Sequence, residues 1–103
     1  MEKRFFRRVN VRGGICKLTR NETQTGTIEN ISLGGLFVKS AMMLAAEEKI
    51  KISITLQRQP DDIRIETEAI ATRREDGGIA FKYDSLNPKD FWTLQSYVQG
   101  LTR

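Results

Sequence analysis

The chain has 103 residues, of which 39% are hydrophobic and 29% charged, as in a globular domain with a single modest core. It contains no histidine, the commonest general base and metal ligand, and its single cysteine, Cys16, cannot form an internal disulfide. No apolar run approaches the roughly 20 residues of a membrane span, and the first residues do not resemble a signal peptide. These features predict a cytoplasmic protein with no catalytic residues and no metal site. The net charge of +4 favours an anionic partner.

The first dozen residues are rich in charge and are followed by a glycine pair. This pattern predicts a flexible N-terminal arm over residues 1–12, joined to a single domain over residues 13–103. Four arginines and one lysine give the arm its positive charge: Lys3, Arg4, Arg7, Arg8 and Arg12. An arm with this charge is suited to bind an anionic ligand.

A β-hairpin is predicted next in the chain. Residues 15–20 alternate apolar and polar side chains, which is typical of a half-buried strand, with Cys16 as a small core residue. Residues 24–31 are rich in threonine and isoleucine, which favour strands, and the turn falls between the two runs. The second strand ends at a polar, glycine-containing loop.

That loop joins small polar side chains to two glycines. Asn30 and Ser32 are two positions apart, so in an extended segment both side chains leave the same face and can donate or accept hydrogen bonds together. Gly34 and Gly35 follow, and we expect positive φ angles there and a main chain that a planar or anionic ligand can approach closely. The loop is therefore a candidate nucleotide-binding site.

The rest of the chain predicts more strands and one helix. Residues 49–58 alternate without a fault, and Asp76 with Gly77 is a strong hairpin signal. The other predicted elements are strands over residues 36–40, 63–74 and 79–83 and a crossover, with at most one helical turn, over 41–48. This spacing predicts an all-β-dominated fold, in which six strands form an antiparallel barrel or sandwich.

A C-terminal helix is predicted to begin after Asn87, which is a good N-cap, with Pro88 at the first helical position. One apolar stripe follows at helical spacing: Phe91, Leu94, Val98 and Leu101. Trp92 and Tyr97 flank the stripe, and we expect both to pack against the barrel. The helix would then close one end or face of the barrel.

Two short motifs in this order resemble a known signature. Arg4 and Arg8 form RxxxR, and Asn30, Ser32 and Gly35 form [D/N]xSxxG. Together they resemble the signature of the PilZ domain family, bacterial receptors for cyclic di-GMP. Either motif alone is a weak signal, but their order, spacing and position before a strand make the pair a strong one. The resemblance covers essentially the whole chain, and it implies a small antiparallel β-barrel of six to seven strands that begins just after the arginines and closes with a C-terminal helix.

The resemblance implies that these five residues bind cyclic di-GMP and that the arm folds over the ligand. Arg7 and Gly34 are expected as secondary contacts. No cofactor is implied besides the ligand, and neither a membrane nor a nucleic acid is an expected partner. A receptor of this size would signal to a separate protein partner, and a homodimer is possible on the same grounds.

Two other binding functions fit parts of the sequence. A small basic barrel could bind single-stranded nucleic acid through Phe5, Phe6 and the pair Arg73 and Arg74. That interpretation leaves the Asn30-to-Gly35 loop unexplained. The other alternative is a PilZ-like adaptor that has lost ligand binding. An enzyme ranks last, since no histidine and no nucleophile pair is present.

Overall fold

A computed structural model describes residues 7–101, with the side chains of residues 7–100. Arg4 and the rest of the predicted arm before Arg7 lie outside the described residues. The described part comprises β1 (Val9–Asn10), β2 (Ile15–Thr19), β3 (Thr23–Ile31), β4 (Gly35–Lys39), β5 (Lys49–Leu56), β6 (Ile63–Glu75), β7 (Gly78–Ser85) and α1 (Pro88–Leu101). The predicted strands after the arm are all present, with ends that differ by one or two residues.

Strands β2 to β7 form a closed antiparallel barrel. They follow the order β3, β2, β5, β6, β7 and β4, and β4 pairs back onto β3 to complete the circle. The prediction of a six- to seven-stranded barrel with a C-terminal helix is confirmed. Among the helices of residues 7–101, none has the length and apolar character to cross a bilayer.

The alternating strands place their apolar side chains inside the barrel, and Cys16 is fully buried among them. The helix packs onto this core through Leu94, Tyr97 and Val98, which are all buried. Trp92 differs from the prediction, because it is 65% exposed. Two positions correspond to about 200° around a helix, so Trp92 points away from the side that carries Leu94.

The segment predicted as a flexible arm contains a strand within its described part. Val9 lies opposite Ile31 and Asn10 opposite Asn30, so β1 extends the edge of β3 beyond the end of β2. The main-chain N–H of Val11 donates to the carbonyl of Glu29 at 3.0 Å. Val9 is buried in the core, which anchors this segment to the barrel.

The crossover between β4 and β5 contains no helix, although its sequence favours one locally. Arg74 from β6 stabilises it instead, because its guanidinium donates to the carbonyls of Met42 at 2.7 Å and Ser40 at 2.9 Å. These bonds satisfy main-chain acceptors that a helical turn would otherwise pair. The hairpin predicted at Asp76 and Gly77 is confirmed, with φ angles of 50° and 73°.

Candidate ligand-binding site

Ser32 organises the loop between β3 and β4. Its N–H donates to the carbonyl of Gly35 at 2.8 Å, which closes a two-residue loop. Its Oγ accepts hydrogen bonds from the N–H groups of Gly34 at 3.1 Å and Gly35 at 3.2 Å. Ser32 is only 4% exposed, so its side chain supports the loop from inside. The expectation that Ser32 and Asn30 leave the same face is wrong, because the chain has already turned out of β3 at Ser32.

Tyr83 supports this loop from the barrel interior. Its hydroxyl donates to the carbonyl of Ser32 at 3.1 Å, and its N–H donates to the carbonyl of Gly34 at 3.1 Å. Burial is the main reason that the pKa of Tyr83 is raised, so the phenol keeps its proton and remains a donor. The sequence predicted a strand that ends at Tyr83, but gave no signal that the hydroxyl of Tyr83 reaches the loop.

The glycine pair does not have the backbone conformation that the sequence predicts. Neither Gly34 nor Gly35 has a positive φ, so the expectation of left-handed backbone there is wrong. A side chain at Gly35 would instead overlap the carbonyl of Phe81 on β7. The position therefore requires glycine because β4 and β7 approach closely.

Arg8 and Asn30 bring the two sequence motifs together. The Nη1 of Arg8 donates to the Oδ1 of Asn30 at 2.7 Å, across 22 positions of sequence. The pairing of β1 with β3 brings the chain of Arg8 next to Asn30. Both residues line a cavity of about 440 Å³ on the outer wall of the barrel. This volume lies within the range of small-molecule sites.

The cavity extends from β3 across β4 and β7 to β6. Its charged lining residues are Arg8, Lys39, Arg73, Glu29, Glu75 and Asp76. Ser32, Gly34 and Gly35 do not line it, and whether they contact a ligand stays a prediction. The structure thus brings Arg8 and Asn30 together at the cavity and places Ser32 and Gly35 in the loop after β3, outside the cavity lining.

Opposite charges pair across this cavity. Lys39 lies 3.8 Å from Glu29 and also donates to the carbonyl of Asp76 at 2.7 Å. Arg73 contacts Glu75 through Nε at 3.0 Å and Nη2 at 3.3 Å. This hydrogen-bonded pair raises the pKa of Arg73 and lowers that of Glu75. Since these side chains are exposed to water, the pairs are weak and an anionic ligand can displace the carboxylates.

A second cavity, of about 620 Å³, lies on the other side of β1. It is bordered by Arg7, Arg8 and Arg12, together with Gln57 and Tyr97. Arg7, predicted as a secondary contact, therefore lines this second cavity and not the one beside Asn30. Arg8 borders both cavities.

Comparison with known proteins places this geometry in context. A family model for the PilZ domain matches residues 2–100. A search of curated proteins gave no significant match.

Three solved structures share the fold. The inhibitor of motility MotI/DgrA of Bacillus subtilis has a TM-score of 0.83 at 22% identity, with 94% of this chain and 50% of that chain covered. The PilZ domain of YcgR from Escherichia coli, solved with c-di-GMP, has a TM-score of 0.73 at 18% identity, with 99% of this chain and 93% of that chain covered. The PilZ domain of CeSA from a cellulose-synthesizing bacterium has a TM-score of 0.67 at 19% identity, with 94% of this chain and 99% of that chain covered. The chain thus spans half the length of the Bacillus structure.

Proposed function

The chain belongs to the PilZ domain family, and from this membership we propose that it is a receptor for cyclic di-GMP. The observation that carries the proposal is the hydrogen bond from Arg8 to Asn30 beside the 440 Å³ cavity. It joins one residue from each half of the family signature at one site. The similar fold of the YcgR domain solved with c-di-GMP gives further support.

The chemistry of the ligand fits the residues at the cavity. Cyclic di-GMP carries two phosphates and two guanines. The planar guanidinium of Arg8 can bind a phosphate or the acceptor edge of guanine with two parallel hydrogen bonds. The amide of Asn30 can donate and accept toward guanine or phosphate. Arg4 is proposed to act as Arg8 does, and Ser32 and Gly35 to fix the loop behind Asn30. Arg7 and Gly34 remain predicted secondary contacts.

Binding is proposed to change the position of the N-terminal segment. Arg8 already uses Nη1 on Asn30, so a ligand that takes both groups must rearrange this bond. Strand β1 has two residues, so the proposed shift is a local one at Arg8, while the buried side chain of Val9 keeps the strand on the barrel. A separate protein partner would recognise the shifted segment. That partner, the homodimer and the cytoplasmic location are predictions from the sequence.

The nucleic-acid alternative is less well supported by the geometry. It relied on Arg73 and Arg74 as a basic patch, but the guanidinium of Arg74 donates to two main-chain carbonyls of the crossover and holds it in place. Binding a strand there would require these bonds to break. The proposed activity is ligand binding without catalysis.

Isothermal titration of the purified protein with cyclic di-GMP tests the proposal. Cyclic di-AMP, GTP and a short single-stranded oligonucleotide serve as controls at physiological salt. Saturable binding of cyclic di-GMP alone is the expected result. Binding of the oligonucleotide alone would favour the nucleic-acid function, and absence of binding by all four would favour an adaptor without a ligand.

A further inference from the structure

Two β-bulges decide which side chains face the cavity on the outer wall. In β3 the register shifts between Ile28 and Asn30, and in β6 it shifts between Ala71 and Arg73. Strict alternation would point Asn30 into the barrel with Ile28, and Arg73 into it with Ala71. The extra residue in each strand turns both polar side chains outward instead.

Asn30 and Arg73, the two residues that the bulges turn outward, lie at opposite ends of one row of residues across the barrel wall. Asn30 is opposite Phe37, Phe37 is opposite Ala80, and Ala80 is opposite Arg73. The row therefore runs over four neighbouring strands, and its ends are three strand spacings apart, or about 14 Å. All four side chains line the 440 Å³ cavity.

The middle of this row forms a low floor. Ala80 has a minimal side chain, and the ring of Phe37 lies over Gly78, where a Cβ would overlap it. Arg8 and Asn30 are at one end of the floor, and Arg73 is at the other. Arginine is long enough to reach over the floor from either end, so one ligand can contact both ends.

Arg73 binds a carboxylate that a phosphate can replace. Its Nε and Nη2 both donate to the carboxylate of Glu75, which is the two-point geometry that arginine also uses on phosphate. The side chains of Arg73 and Glu75 are 60% and 49% exposed, so water screens the pair and exchange for another anion is easy.

We propose that Arg73 is a further ligand-binding residue, which hydrogen-bonds a phosphate of the bound dinucleotide at the end of the row opposite Arg8 and Asn30. When the ligand is absent, Glu75 accepts from the same two N–H donors of Arg73, so it competes with the phosphate for them. This inference rests on the proposed receptor function. It adds a residue outside both sequence motifs to the site and makes the affinity depend on the Arg73–Glu75 pair.

Titration of cyclic di-GMP into four variants tests this role. Arg73→Ala is expected to raise the dissociation constant at least about tenfold, since a charge-assisted bidentate contact is lost. Arg73→Lys is expected to lie between Arg73→Ala and the unsubstituted protein, because it keeps the charge but not the planar fork. Glu75→Gln is expected to tighten binding about twofold to fivefold by removing the competitor. Arg64→Ala is the matched control, an exposed arginine on the same strand outside the cavity, and should bind as the unsubstituted protein does.

The outcomes separate the two proposals. If the unsubstituted protein does not bind cyclic di-GMP, both the receptor function and the role of Arg73 are wrong. If it binds, and Arg73→Ala binds equally well while Arg8→Ala does not, only the role of Arg73 is wrong. Weaker binding by Glu75→Gln would contradict competition for the same donors. An unchanged melting temperature of ligand-free Arg73→Ala is expected, and would show that the loss of affinity does not come from unfolding.

Discussion

The hydroxyl of Tyr83 donates to the carbonyl of Ser32 at 3.1 Å, and thereby connects the inner face of β7 to the loop that follows Asn30. The loop itself is closed by Ser32, whose Oγ accepts two main-chain N–H groups. The shape of the candidate site thus depends on hydrogen bonds made inside the barrel, behind the residues that face the cavity.

Tyr83→Phe removes this support while keeping the ring in the core. We expect the free energy of unfolding to fall by about 0.5–1.5 kcal/mol, the usual net value of a hydrogen bond inside a protein. Urea denaturation measures the change. Tyr97→Phe is the control, because the Tyr97 hydroxyl donates to none of the described residues, and it should unfold like the unsubstituted protein. An equal loss in both variants would contradict a specific role for the Tyr83 hydroxyl.

Gly35→Ala is expected to destabilise the barrel, because the new Cβ overlaps the carbonyl of Phe81 and both groups belong to paired strands. Overpacking of this kind costs about 1–3 kcal/mol. Gly100→Ala is the matched control on α1, where, among the described residues beyond the neighbouring helix backbone, no atom lies within 4 Å of the added Cβ. Helix propensity favours that change by at most about 1 kcal/mol. Thermal unfolding of the two variants should therefore shift in opposite directions, and a neutral Gly35→Ala would show that the strands can separate without cost.

Arg8→Ala should separate ligand binding from folding. Arg8 is exposed, so we expect the melting temperature of the ligand-free protein to stay nearly unchanged while affinity for cyclic di-GMP falls at least about tenfold. The same is expected of Arg4→Ala. Arg58→Ala, at another exposed arginine, is the control and should keep full affinity. A large loss of stability in Arg8→Ala would mean that the arginine is part of the folded framework.

Ser32→Ala should behave differently from Arg8→Ala. The Oγ of Ser32 is the acceptor for two N–H groups of a half-buried loop, and its loss leaves them without that partner. We expect the free energy of unfolding to fall by about 1–3 kcal/mol, with weaker binding as a consequence. Urea denaturation and titration on the same preparation test both effects. Weaker binding with unchanged stability would instead favour a direct contact between Ser32 and the ligand.

Cys16 makes stability depend on alkaline pH. Burial raises the pKa of its thiol from 9.0 to about 12, so above pH 9 the unfolded chain loses this proton and the folded protein keeps it. The contribution is complete below pH 9, and the free energy of unfolding then falls by about 1.4 kcal/mol per pH unit as the pH rises toward 12. Urea denaturation between pH 8 and pH 10 measures the slope. Cys16→Ala should show a smaller slope, and an equal one would assign the effect to other groups.

The alternating pattern of the sequence was sufficient for the antiparallel strands, because burial of one strand face demands a period of two. The resemblance to a known family then selected a barrel over a sandwich. Residues 49–58 and the Asp76–Gly77 turn follow from local rules alone, as does the helix start at Pro88. The motifs also selected Arg8 and Asn30, which meet in the structure. Each of these predictions needed only residues close together in the chain, or a signature carried by few positions.

Only the tertiary structure decided which side chains face the cavity. A bulge depends on how two strands pair, so the outward direction of Asn30 and Arg73 cannot be read from either strand alone. The same holds for Gly35, where the carbonyl of Phe81 on a neighbouring strand leaves no room for a side chain. Local sequence determines the elements and their apolar faces, whereas contacts between residues distant in the chain determine the site, because hydrogen bonds and steric limits act through space.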